Sequence, residues 1–167
     1  EHYSSLVSYA TNPVINIVVM LLIIIGGLGF LTWNDIRTHK WHLRKYRMQS
    51  KIVFVVTAVL LILPALYFYF IEFTYPQWAW MSEGQRFWGA LFQSVTPLTA
   101  GFNTLDLTKM SEPGQAIMTI LMLIGGSPGS TAGGMKTTTV AVLILSMLSV
   151  FGRREHVEVF DRRVAGE

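Results

Sequence analysis

Two long apolar runs constrain this chain more than any other feature. Pro13 to Leu31 is 19 residues without a charge, and Ile52 to Phe73 is uncharged until Glu72, near its end. At about 1.5 Å per helical residue the first reaches roughly 28 Å and the second roughly 33 Å, enough to cross a hydrocarbon core of about 30 Å. Pro64 is expected to kink the second. A soluble domain of this size needs more charged surface than the 14% of charged residues found here, and its apolar residues do not gather into unbroken runs. The solvent read from this pattern is lipid.

The charges set an orientation. Arg37, Lys40, Arg44, Lys45, Arg47 and Lys51 lie between the two runs, which marks that loop as cytoplasmic under the positive-inside rule. A nucleic-acid patch is the rival reading, but a stretch this short between two spans rarely serves as one. From Thr74 to Glu112 only Arg86 and Lys109 are basic, as an outer segment requires; Arg153, Arg154, Arg162 and Arg163 return the chain to the cytoplasm. Tyr75, Trp78, Trp80 and Trp88 are expected in an interfacial belt. Glu72, Glu83, Asp106 and Glu112 lie toward the outside, where they either concentrate cations at a mouth or anchor the interface. There is no cysteine, which excludes disulfides, thiolate metal sites and cysteine nucleophiles. The chain starts at Glu1 with no charged segment ahead of its first apolar run, so an internal fragment without a signal peptide is expected.

Ser82 with Gln85 three residues later reads as a capping box opening a helix that stops near Thr96-Pro97. About 13 residues give roughly 20 Å, too short to span. Both ends of this segment must be outside, so it enters and returns. The stretch after it, Leu98-Thr99-Ala100-Gly101-Phe102-Asn103-Thr104, is non-helical backbone at membrane depth. Such backbone persists only when buried in protein or lining a wet cavity, and free carbonyls around a cavity suit a dehydrated cation. Gly101 permits the positive φ that turns carbonyls toward one axis, and the helix C-terminus favours a cation there. An interfacial hairpin is the structural alternative.

The third apolar region, Pro113 to Gly152, would reach about 60 Å as one helix and must be broken. Gly125-Gly126-Ser127-Pro128-Gly129-Ser130-Thr131-Ala132-Gly133-Gly134 cannot propagate a helix. Two half-helices are expected, about Pro113 to Ile124 and Thr137 to Phe151, after a start at Ser111-Glu112-Pro113. The polar loop joining them is expected to be flexible and able to act as a gate. Lys136 is a functional candidate at that depth, with snorkelling to the cytoplasmic interface as the alternative. Gly129 to Lys136 approaches a phosphate-binding loop, but Met135 intrudes before Lys136 and no soluble strand precedes it. Gly26-Gly27-Leu28-Gly29 lacks the third glycine of a dinucleotide motif and is read as allowing close helix approach or a widened wall beside a pore. No nucleophile–base pair or paired carboxylates emerge, so no enzyme is expected.

The segments 94–104 and 124–136 together resemble the Trk/Ktr/HKT superfamily of potassium transporters, nearest the membrane (B-type) subunit of the bacterial Ktr uptake system. The likeness covers nearly the whole chain. It implies an all-α membrane fold: a transmembrane helix followed by one helix–pore loop–broken helix repeat, potassium-channel-like. Residues 1–51 would be the last helix of a second repeat with its basic loop. Residues 52–152 would be the third repeat: outer helix 52–73, pore helix 83–96, filter 98–103, and inner helix 113–151 broken by a gate loop at 125–134. Residues 153–167 would connect to a missing repeat. The resemblance further implies a filter of Thr99, Ala100, Gly101, Phe102 and Asn103, with K+ held by the carbonyls of the first four. It also implies a multi-pass plasma-membrane protein with K+ as substrate, Na+ as a coupling or activating ion, and no covalently bound cofactor. The implied partners are the missing repeats, a second subunit in a homodimer, a cytosolic nucleotide-binding regulatory ring and the bilayer, with no nucleic acid. One strand cannot enclose an ion, so the isolated chain is not expected to conduct. A non-conducting scaffold is the alternative.

Overall fold

The computed structural model describes residues 6, 9–10, 12–40, 42–98, 100–151, 158–159 and 162–163. Helix α1 is Pro13–Gly27, with proline in its first turn and the Asn12 side chain accepting from the Val14 and Ile15 amides at 3.1 and 3.4 Å. It ends four residues before the expected limit of the first span. Helix α2, Phe30–His39, follows after a two-residue break and is bent 96° from α1. A single straight span to Leu31 is therefore corrected. The break is at Gly29, at φ 79°, a conformation that side-chain-bearing residues rarely adopt. The Trp33 indole donates to the Ile25 carbonyl at 3.0 Å and braces the bend.

Helix α3, Met48–Phe70, begins against α2. Asp35 is buried (1% exposed) and accepts from the Ser50 hydroxyl at 2.6 Å and the Arg47 amide at 3.0 Å, with the Arg47 Nε 3.5 Å from its other oxygen. A carboxylate at a helix start satisfies donors that have no partner within the helix and complements the helix dipole. Asp35→Ala in the complete protein is expected to cost about 2 kcal/mol locally, since it leaves a buried hydroxyl and an amide without acceptors. Faster amide hydrogen exchange across the first turn of α3 is the measurement that checks this.

α3 continues through Pro64 and, with the 3-10 turn Glu72–Thr74, forms a 27-residue span whose most apolar 18-residue window has a mean hydropathy of 2.5. Only 28% of its most apolar window is buried, the reverse of the core helix of a soluble protein. Among the described residues it is the one single helix long and apolar enough to cross a membrane; the bent α1–α2 pair is the other candidate span. Helix α4, Glu83–Val95, packs against α3 and α1; α5, Glu112–Leu123, and α6, Thr137–Phe151, follow. A two-residue antiparallel pairing, β1 (Glu158–Val159) with β2 (Arg162–Arg163), is an addition to the helical architecture.

The outer ends of α3, α4 and α5 share a core of Phe68, Phe73, Trp78, Met81, Ala90, Leu105, Met110 and Met118. Trp78 is 1% exposed, so it is a core side chain and not part of an interfacial belt; Trp80, at 61%, remains open. A second cluster of Met20, Phe92 and Val95 joins α1 to α4.

Candidate functional site

α4 is opened by the reciprocal cap of Ser82 and Gln85: the Gln85 amide donates to the Ser82 hydroxyl oxygen, and the Ser82 amide donates to the Gln85 side chain. At 13 residues it is a half-length helix. It tightens into a 3-10 turn over Thr96–Leu98, so Thr96, the residue before Pro97, stays in the right-handed helical region. Leu98, expected at the start of the filter, closes this turn and is buried. Non-helical backbone follows from Ala100 to Asn103; Thr99 lies outside the described residues.

The shape of that segment comes from α4 itself. The Thr96 carbonyl accepts from both the Ala100 and Gly101 amides at 3.2 Å, and the Thr96 hydroxyl donates to the Phe102 carbonyl at 2.5 Å. The Asn103 carbonyl accepts from the Leu6 amide at 2.9 Å, which ties the end of the segment to the start of the chain. One lone pair of the Phe102 carbonyl is therefore committed to Thr96. Among the described residues no backbone amide donates to the carbonyls of Ala100 or Gly101. Gly101 is at φ 68°, and a Cβ placed on it would meet nothing within 4 Å, so this backbone borders open space. The role of Thr96 escapes a reading by composition, because a hydroxyl before proline signals only a turn.

The loop between α5 and α6, read from its glycines as flexible, is tied by a set of backbone hydrogen bonds. The Gly125 amide donates to the Met135 carbonyl at 2.9 Å and the Met135 amide to the Leu123 carbonyl at 3.0 Å, closing a parallel bridge between Ile124 and Met135. The Thr137 amide donates to Gly126 at 3.3 Å. Ser127-Pro128-Gly129-Ser130 forms a turn closed by the Ser130 amide on the Ser127 carbonyl at 3.1 Å, with Gly129 at φ 73°. Proline followed by a positive-φ glycine is the pattern of a type II turn, so Pro128 shapes the loop tip. The Lys136 ammonium, partly buried, donates back to the Ala132 carbonyl at 2.7 Å instead of extending away from the loop.

Of the four acidic residues expected toward the outside, Glu83, Asp106 and Glu112 are exposed, whereas Glu72 is not. Glu72 is fully buried: its carboxylate accepts from the Ser111 amide at 2.9 Å, from the Trp78 indole at 3.3 Å and from the Ser111 hydroxyl. Ser111 also caps α5 through the Gly114 amide. Glu72 therefore fixes the first half-helix, a role that its place at the end of an apolar run did not signal. Glu83 accepts from the Tyr69 hydroxyl at 3.2 Å. The Thr108 hydroxyl, and then the Thr108 amide, hold the Asp106 carboxyl below its ordinary range.

Residues 2–167 match the family described as TrkH, cation transport protein. The chain is 39% identical over 160 residues to the potassium/sodium uptake protein NtpJ of Enterococcus hirae, covering 96% of this chain and 35% of that protein. It is 34% identical over 163 residues to the Ktr system potassium uptake protein B of Vibrio alginolyticus, covering 96% of this chain and 36% of the relative. The chain thus spans about a third of the length of the curated relatives it matches. Its fold superposes on the crystal structure of the potassium transporter TrkH from Vibrio parahaemolyticus with a TM-score of 0.71 at 21% identity, over 98% of this chain and 36% of that one.

Proposed function

The chain belongs to the TrkH family of cation transport proteins, an integral membrane family, and from that premise we propose that it contributes one filter strand and one gate loop to a potassium uptake pathway. The observation that carries this reading is the segment after α4. Its Ala100 and Gly101 carbonyls accept from no described backbone donor, and the Gly101 backbone borders open space. It also lies at the C-terminal end of a half-length helix, where the dipole favours a cation. Peptide oxygens so placed can replace the water shell of a dehydrated ion. Thr99, Ala100, Gly101 and Phe102 would supply those oxygens, and further strands from the rest of the protein would complete the ring. Residues 125–134 with Lys136 would form the gate in the ion's path. A homodimer on a cytosolic nucleotide-binding ring belongs to the same proposal, supported at the coarser level by relatives that are components of Ktr systems.

Sodium belongs to the same proposal as a coupling or activating ion, supported by a relative that is a potassium/sodium uptake protein. Gly101→Ser in the complete protein tests the reading. At φ 68° a serine is strained by roughly 1–2 kcal/mol, yet it meets no neighbouring atom, so the fold should survive while the carbonyls shift. Potassium-over-sodium selectivity in uptake assays is expected to fall toward unity. Unchanged selectivity in a normally expressed variant would remove these residues from the ion path.

A further inference from the structure

Two breaks far apart in sequence interlock through their backbones. The Ser127 amide donates to the Gly27 carbonyl at 2.9 Å, and the Phe30 amide donates to the Gly129 carbonyl at 3.1 Å. Gly27 is the last residue of α1 and Phe30 the first of α2, so each bond satisfies a helix-terminal group that has no partner inside its own helix. Gly29 lies between them at φ 79°, so close to the loop that a Cβ would overlap the Pro128 carbonyl. Further along, the Thr131 hydroxyl lies 3.6 Å from where a Gly26 Cβ would stand. At its other end α2 is fastened to α3 through Asp35, Ser50 and Arg47 and leads into the basic cytoplasmic segment.

We propose that α2 is a lever whose position sets that of the intramembrane loop, with the Gly27–Phe30 break as the joint. Side-chain packing alone would absorb a small tilt of α2. Two backbone bonds running in opposite directions would not: separating the break from the loop strands two donors and two acceptors where the membrane offers no replacement. A displacement imposed on the basic segment would therefore reach the loop tip at Pro128–Gly129. This inference rests on the reading of residues 125–134 as a gate.

Phe30→Pro in the complete protein isolates the joint. Proline is favoured at the first position of a helix, and Phe30 is 76% exposed, so α2 should persist while the amide donated to Gly129 is lost. Basal rubidium influx is expected to rise at least about fivefold, the low end of a typical coupling between sites. A parallel variant lacking residues 125–134 tests the gate itself. High influx in the deletion with unchanged influx in Phe30→Pro would overturn the lever and leave the gate standing; low influx in both would remove the gate reading and the lever with it. Should Phe30→Pro misfold, Gly26→Cys/Thr131→Cys in a cysteine-free background replaces it. Oxidation is then expected to lower influx and dithiothreitol to restore it, and equal influx in both states of a fully cross-linked sample would overturn the lever.

Discussion

Gly125→Ala in the complete protein is expected to raise basal potassium influx and lower thermal stability together. A Cβ at Gly125 would run into the Gly133 carbonyl and come within 3.0 Å of the Gly134 Cα, all of it backbone with no side chain to swing aside. Relief requires residues 133–134 to move away from Gly125, which pulls on the pairing of Ile124 with Met135 and on the two hydrogen bonds that close the loop. Overpacking of this kind costs about 3 kcal/mol when the neighbours cannot move. Gly133→Ala is the matched control, since a Cβ there meets nothing within 4 Å and the loop should keep its shape. Rubidium influx in transport-deficient cells and melting in detergent read both effects. A Gly125→Ala protein indistinguishable from the Gly133→Ala protein would show that the loop is not held by this close approach.

Glu72→Ala should destabilise the outer half of the protein by about 3 kcal/mol, since hydrogen bonds to a charged acceptor are worth roughly 1.5–3 kcal/mol each and the buried donors left behind are not rehydrated. The donors concerned are the Ser111 amide and hydroxyl and the Trp78 indole. Gly114 allows the carboxylate to sit this close, because a Cβ there would be 2.7 Å from one of its oxygens. Gly114→Ala is therefore expected to reproduce part of the loss. The check is the melting temperature of the purified protein together with proteolytic sensitivity at residues 107–112. If Glu72→Ala melted like the parent, the carboxylate would be dispensable for seating α5.

Features set by neighbouring residues could be read from the sequence. The Ser82–Gln85 cap, the Ser111 cap with Pro113 behind it, and the inability of residues 125–134 to continue a helix are all local chemistry, and each stands in the structure where its residues stand. The Gly101 segment was legible for the same reason: a short helix running into proline leaves few alternatives. Long-range features were hidden. The 96° bend at Gly29 depends on the carbonyls of a turn about a hundred residues later, so an apolar run containing three glycines looked like a continuous span. Glu72 looked like a mouth or interface carboxylate because its partner Ser111 lies 39 residues away. Trp78 looked like an interface anchor because aromatic residues near a span usually are, whereas Phe68 and Phe73 enclose it here. The hydroxyl of Thr96 on the Phe102 carbonyl gave no signal beyond a common pre-proline turn.

The bridge at the base of the 125–134 loop behaves like a rivet. Ile124 and Met135 are locked side by side, and Thr137 begins α6 already bonded to Gly126. The two half-helices therefore keep their register whatever happens beyond the rivet. The loop tip beyond it is shaped separately, by its own turn and by the bonds of Ser127 and Gly129 to the break between α1 and α2.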